Sequence, residues 1–246
     1  MMQIRNWIVL LSALAIWLGG CAGGPPAADR EFLEVVESVC GDDAGTSQVV
    51  VVLAQDGAAP ERARFVTVAV YERGGSGGAF GRVLGPFAGV VGKNGFAPVG
   101  EKREGDRRTP TGRFTITELF GEDAEFRPRM PYRVVTEEDA WCEDPTSPLY
   151  NQWLHGEAAK AATDRLKRSD DLYRHAAVID YNRWPVVPSA GSAIFMHKAE
   201  PGGAGTLGCV GLAAEELDAV LLRLDPSKRP VIVMGTPGEL RRLRGK

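Results

Sequence analysis

The sequence predicts a mainly β domain carrying a few helices, and three observations lead there. Short apolar runs bounded by Gly and Pro recur along the chain, several of them rich in β-branched residues. Glycine supplies 30 of 246 residues, about 12% against a usual ~7%, which implies many turns. Helical spacing of apolar residues occurs in only three segments.

Taken in order, residues 29–39 place Phe32, Leu33, Val35, Val36 and Val39 at helical spacing with acids between them. Residues 48–54 and 64–72 predict strands, the second on the β-branched and aromatic character of Phe65, Val66, Val68 and Val70. Gly74-Gly75-Ser76-Gly77-Gly78 is a loop. It lacks the following helix that a dinucleotide-binding motif needs, because residues 82–91 predict another strand. Thr109-Pro110-Thr111-Gly112 reads as a type I turn, with Pro second and Gly fourth, feeding a strand over 113–119. A helix is expected over 157–168. Residues 176–181, 192–197 and 230–235 are short apolar runs that predict buried strands. Residues 213–224 set Leu217, Val220, Leu221 and Leu224 on one helical face. No internal repeat is present.

Apolar residues at 44% and charged residues at 25% are ordinary for a globular chain and exclude wholesale disorder. The formal charge of −3 gives no global basic field for nucleic acid. The basic C-terminal residues Arg241, Arg242, Arg244 and Lys246 read as a solvated end. The N-terminus is different in kind. Arg5 precedes an apolar stretch over 8–18, followed by Gly19-Gly20-Cys21, the pattern of a signal peptide. Leu18-Gly19-Gly20-Cys21 also resembles the bacterial lipobox, in which the cysteine is lipidated and becomes the new N-terminus. The expected organisation is a lipoprotein signal peptide over 1–20, lipidated Cys21 with a flexible tether over 21–30, and one domain over 31–246 with its core at about 48–237. That places the protein outside the cytoplasm, held to a membrane by its N-terminal lipid and facing the periplasm or cell wall.

Three cysteines follow Cys21, an odd number, so at least one thiol stays free. The expected arrangement is a Cys40–Cys142 disulfide, suited to an oxidising compartment, with Cys209 free.

The chemistry concentrates near residue 200. His197 ends the run Ser192-Ala193-Ile194-Phe195-Met196, and a glycine-rich loop returns the chain through Thr206-Leu207-Gly208-Cys209. A strand, a loop and a sharp turn bring an imidazole toward a thiol, the pairing that nucleophilic catalysis uses. Gly205 and Gly208 leave neighbouring backbone amides sterically open, so those of Leu207, Gly208 and Cys209 are candidates for an oxyanion hole. Zinc-like spacing is absent: His155 and His175 are scattered and no two cysteines are close.

Ile194-Phe195-Met196-His197 followed by Thr206-Leu207-Gly208-Cys209-Val210 resembles the active-site signature of the YkuD-type L,D-transpeptidases. Two further segments agree in the same order. Glu104-Gly105-Asp106 with Thr109-Pro110-Thr111-Gly112-Arg113-Phe114 resembles the family's G-D-x-x-T-P-x-G-x-F segment. Tyr181-Asn182 with Pro185-Val186-Val187-Pro188 resembles a segment upstream of the histidine. The resemblance covers about residues 80–235. It implies a β-sandwich or barrel and a cysteine acyltransferase acting on peptidoglycan stem peptides, with Cys209 as nucleophile and His197 as general base and acid. It implies no metal or organic cofactor. Tyr181, Asn182, Thr206 and Arg103 are the candidate substrate-binding residues, with Arg107 and Arg108 as alternatives to Arg103. Leu207 stands where many members have a second histidine, and Gly211 where Arg or Asn often follows the cysteine. A carbonyl such as that of Lys198, or the side chain of Asn182, is expected to orient His197. Trp141, Tyr150, Trp153 and Trp184 are candidates for stacking on sugar or peptide. A monomer is expected. A hydrolase using the same thiol and a non-catalytic wall-binding lipoprotein are the rival readings.

Overall fold

A computed structural model describes residues 27–54, 59–75 and 77–243. The lipobox cysteine Cys21 lies outside the described residues. In chain order the elements are α1 (Ala27–Cys40), β1 (Gln48–Ala54), β2 (Phe65–Glu72), β3 (Gly81–Val90), β4 (Phe96–Ala97), β5 (Thr109–Pro110), β6 (Gly112–Gly121), β7 (Tyr132–Val134), β8 (Asp139–Trp141), β9 (Trp153–His155), β10 (Asp164–Arg165), β11 (His175–Ile179), β12 (Phe195–Lys198), β13 (Val210–Leu212), α2 (Ala214–Arg223), β14 (Val231–Gly235) and α3 (Pro237–Arg241).

Nine strands form one sheet in the order β11-β12-β13-β3-β2-β1-β14-β6-β7, and a further pairing of β11 with β6 closes it into a barrel. The mainly β expectation therefore holds. β1 explains its own composition. Its residues Val50 and Val52 point into the barrel core, while Val49, Val51 and Leu53 meet α1. A strand covered on both faces reads as a continuous apolar run rather than an alternating one. The α1 stripe of Phe32, Val35, Val36 and Cys40 supplies that outer cover, and Leu217, Val220, Leu221 and Leu224 of the α2 segment pack against the inner cluster.

Beyond the α1 cover, β11 and β12 carry a third apolar cluster, and here the pleat matters for the site. Met196 points into the barrel core, so Phe195 and His197 share the opposite face. Phe120, Trp141, Tyr173 and Cys209 belong to that outer cluster.

Three expectations are corrected. The helix over 157–168 does not form; a 3-10 turn over Gly156–Ala159 gives way to β10. The segment is alanine-rich, and its one large apolar anchor, Leu166, is fully buried in the outer cluster. Its Asp164 and Arg165 pair with Trp141 and Ala140 as a strand, so tertiary burial overrides helix propensity. Thr109-Pro110-Thr111-Gly112 is extended rather than a turn, with Thr109 and Pro110 alongside Phe96 and Ala97. Its Thr109 N–H donates to Gly95 O at 2.9 Å. The Cys40–Cys142 disulfide is absent, since both cysteines are free and buried in separate apolar clusters. Cys40, the last residue of α1, packs in the cluster between α1 and β1, while Cys142 packs with Ala140, Leu154 and Ala159. Unfolded without reductant, the chain is expected to titrate all of Cys40, Cys142 and Cys209 with a thiol reagent. A titre one third as large would restore the bridge.

The Gly74–Gly78 region is the connection of the antiparallel β2–β3 pair, which removes any phosphate-binding strand–turn–helix there.

Candidate active site

Cys209 sits at the end of the turn that precedes β13, 7% exposed, and forms part of the wall of a cavity of about 390 Å3. The turn is stapled by hydroxyls. Thr206 Oγ1 donates to Cys209 O at 2.7 Å and accepts from Gly208 N at 3.1 Å. From the opposite side the buried Thr109 Oγ1 donates to Gly208 O at 2.8 Å and accepts from Gly92 N at 2.9 Å. The Thr-Pro segment thus supports the nucleophile's turn from an extended strand. Thr206 is a positioning residue for this turn.

Backbone groups hold the thiol. Phe195 N–H donates to Sγ at 3.3 Å, and Sγ donates to Ala193 O at 3.2 Å. Burial pushes the Cys209 thiol up to about 12, and the carboxylates of Asp164 and Glu143 add to the shift. His197 is 6% exposed, with its ring edge-on to Tyr173 at 5.2 Å. Burial pulls it down to about 4. Its Nδ1 lies 2.7 Å from Lys198 O, so Nδ1 carries the proton and Nε2 keeps the lone pair. Of the two expected orienting groups, the Lys198 carbonyl holds the ring. Asn182 instead ties its own loop, through Val187 N and O and Gly191 O.

Among the oxyanion candidates, the Gly208 amide is already committed to Thr206 Oγ1. The amides of Leu207 and Cys209 have no protein acceptor among the described residues. Gly211 is closely packed: a Cβ there meets Val90 Cγ2 at 2.9 Å and Ala199 Cα at 3.2 Å, so the Arg or Asn that the resemblance would place here needs those neighbours to shift.

The substrate-binding candidates divide. Tyr181, Asn182 and Arg103 line a separate open groove with Val187 and Pro188, away from the Cys209 cavity. Tyr181 OH donates to Ala190 O at 2.6 Å, and Arg103 donates to Gly100 O and Lys102 O. Arg107 is the member of that basic cluster that reaches the Cys209 cavity, beside Lys102 and exposed Leu207. Asp106 fixes this wall by accepting from Lys102 Nζ, Arg108 N and Arg103 N, each at 2.8 Å. Glu104 is held by Tyr150 OH and by Ser192 Oγ. Trp141 and Tyr150 are core, Trp153 donates to Asp139 at 2.8 Å, and only Trp184, at 78% exposed, has a free face.

Four residues of the site have no signal in the sequence. Asn151, 1% exposed, accepts from Trp141 Nε1 and Ala193 N and donates to Tyr181 O and Asn182 O. Tyr173 packs between His197 and Phe195. Glu143 and Asp164 line the same cavity as Cys209, where Arg168 stands 3.8 Å from Asp164. No group of three or more His, Cys, Asp or Glu suited to a metal occurs among the described residues.

Searches of curated proteins and of solved structures return no match for the chain. The YkuD family model, the L,D-transpeptidase catalytic domain, matches residues 61–233. That span is well over half of the chain and holds the Thr206–Cys209 turn, His197 and every barrel strand but β1 and the end of β14, and on it the chain belongs to the YkuD family of L,D-transpeptidase catalytic domains.

Proposed function

We propose that the protein is a peptidoglycan L,D-transpeptidase that exchanges the terminal D-alanine of a tetrapeptide stem for an amine. The carrying observation is the shared face of β12 and the β13 turn, with Cys209 on a cavity wall and His197 fixed in the tautomer whose Nε2 accepts a proton. Cys209 Sγ attacks the carbonyl of the third residue, and the C–N bond to D-alanine breaks. His197 takes the thiol proton and passes it to the leaving amine. The free amides of Leu207 and Cys209 face the developing oxyanion, each such donor being worth ~2.7–4 kcal/mol in comparable sites. Arg107 and Lys102 supply positive charge for a stem carboxylate. An acceptor amine then attacks the thioester, the C–S bond breaks and the thiol is restored. Water as acceptor makes the same site an L,D-carboxypeptidase. Leu18-Gly19-Gly20-Cys21 supports an exported, lipid-anchored location on the sequence.

Incubation with purified disaccharide-tetrapeptide under reducing conditions tests the reading by mass spectrometry. Release of D-alanine with a cross-linked dimer is expected; tripeptide alone assigns a carboxypeptidase. Untouched substrate overturns both and favours the wall-binding lipoprotein.

A further inference from the structure

Tyr173 stands just before β11, and its ring is clamped. Phe120, Phe195 and His197 meet it edge-on, with centroids at 5.7, 5.6 and 5.2 Å, and the Arg168 guanidinium lies over it at 5.0 Å. The backbone beside it is fixed as well. Lys198 N–H on β12 donates to Leu172 O at 3.3 Å, and Leu172 N–H donates to Asp170 Oδ1 at 3.2 Å. Tyr173 is 8% exposed and lines the cavity of Cys209. A ring held in this way presents its hydroxyl in one direction.

That hydroxyl has no hydrogen-bond partner among the described residues, and it is not one of the unpartnered polar atoms sealed from solvent, which are Tyr71 OH, His175 Nε2 and Asp180 Oδ1. It therefore opens onto the cavity that its residue lines. The groups whose charge acts on it, Asp164, Cys209, Arg168 and Glu143, line the same cavity. Burial holds the phenol well above its usual value, so it keeps its proton through the neutral range and offers a donor. A phenol buried this deeply ordinarily finds an acceptor. Here the chain supplies none, and the open direction is toward the nucleophile. The same neighbours set the charge of the acceptor. Arg168 pairs with Asp164 at 3.8 Å and through Nε with Asp170 at 2.9 Å, and Glu143 adds a further acid. An anionic group would meet acid against acid. A neutral amide carbonyl accepts from the hydroxyl and brings no charge out of water.

We propose that the Tyr173 hydroxyl is a substrate-binding group that donates to a neutral amide carbonyl of the bound stem peptide, one that flanks the carbon attacked by Cys209. The assignment rests on the acyl-transfer reading above and names a contact by which the site holds the acyl donor. The contact is made equally before and during the reaction, so its worth appears in affinity for the stem.

Tyr173→Phe in the full chain keeps the ring and removes only the oxygen, and two measurements on it test the contact. The first needs no acyl transfer. Cys209 is alkylated by iodoacetamide, whose amide carbonyl flanks the attacked carbon, or by allyl bromide, which has no acceptor, and the Cys209 peptide is followed by mass. In each case the C–S bond forms, the halide leaves with its electron pair and the thiol proton passes to solvent. The rate ratio of iodoacetamide to allyl bromide is expected to fall about fivefold in Tyr173→Phe. A constant ratio overturns the contact, including a ratio held constant because both rates fall together through a damaged fold. The second measurement is D-alanine release from the disaccharide-tetrapeptide. A loss of about tenfold in kcat/KM is expected, carried by KM, with kcat within about twofold of the native chain. No loss, or a loss carried by kcat alone, overturns the contact. A fallen alkylation ratio without D-alanine release in the wild type keeps the amide contact and overturns the transferase reading.

Discussion

Cys209→Ala is expected to reduce D-alanine release from the tetrapeptide by at least ~10^3-fold, because loss of a covalent nucleophile removes the two-step route itself. The resting state of the thiol gives this prediction a second edge. With Cys209 pushed up to about 12 and His197 pulled down to about 4, the pair rests as thiol and imidazole between pH 5 and 9. Both shifts have burial as their largest cause; Asp164 and Glu143 further disfavour the thiolate and Arg168 the imidazolium, while Lys102 and Asp170 oppose these shifts without reversing them. The Sγ hydrogen bond to the Ala193 carbonyl also suits a thiol that still holds its proton. Alkylation of Cys209 by iodoacetamide is therefore expected to be slow at pH 7 and to climb through pH 9 without a plateau. A rate already level between pH 5 and 8 would show a preformed thiolate–imidazolium pair, and this account of the resting site would be wrong. Removal of His197 as His197→Gln is expected to cost ~10^2–10^4-fold, the usual range for a general base.

His197 also imposes a pH dependence on the fold. Its folded pKa lies below its unfolded value, so the unfolded chain binds the extra proton and stability falls as pH drops from about 6.5 toward 4. Glu143 and Asp164 act in the opposite sense. Burial raises them to about 7 and about 6, so the folded chain holds protons that the unfolded chain has released, and stability falls as pH rises through those values. Between about pH 4 and 7 the two effects therefore oppose each other, the histidine's cost growing as pH falls and the carboxyls' as it rises.

What can be read from the sequence follows from how local each signal is. β1 matches the expectation residue for residue because an unbroken Val run has few alternatives. β2, β3, β14 and α2 differ from it only at their ends. Cys209 and His197 are visible because glycines and a strand end mark them within a single short segment. The segment over 157–168 misleads because its alanines carry helix propensity, while the burial of Leu166 against Trp141, 25 residues earlier, leaves no local trace. Thr109 reads locally as part of a turn, and its true task, holding the carbonyl of Gly208, joins residues 99 apart. The acids Glu143 and Asp164 belong to this second group. Nothing in Cys142-Glu143-Asp144 distinguishes it from a solvated loop until the β8–β10 register sets it beside the thiol's cavity.

Asn151→Ala is expected to be the most damaging single change outside the reacting pair, lowering stability by about 4 kcal/mol. The Asn151 side chain uses both its oxygen and its nitrogen twice, at 2.9 and 3.1 Å as acceptor and at 3.0 and 2.7 Å as donor. Truncation orphans the buried Trp141 indole N–H and Ala193 N–H and removes the donors to the half-buried carbonyls of Tyr181 and Asn182. It also puts Ala at φ 59, a left-handed conformation that Asn tolerates and Ala does not. At ~2–4 °C per kcal/mol for a domain of this size, the melting temperature drops by about 10 °C. Activity falls with it, since the Ala193 segment that Asn151 holds also presents the carbonyl bonded to Cys209. Asn151→Gly relieves the backbone and still loses the four bonds, so it recovers only the ~1 kcal/mol conformational part. Asn151→Asp separates the acceptor half from the donor half. It keeps the oxygens for Trp141 and Ala193 but turns a carboxylate toward two carbonyls, which raises its folded pKa above the unfolded ~3.9. Its deficit relative to the native chain should therefore be small at pH 4 and grow as pH rises through that folded pKa. Melting curves for the three variants at pH 4, 6 and 8 decide it. A deficit for Asn151→Asp that is flat across that range would mean the two donor bonds to Tyr181 and Asn182 contribute little, and that the Trp141 and Ala193 bonds alone hold the wall of the site.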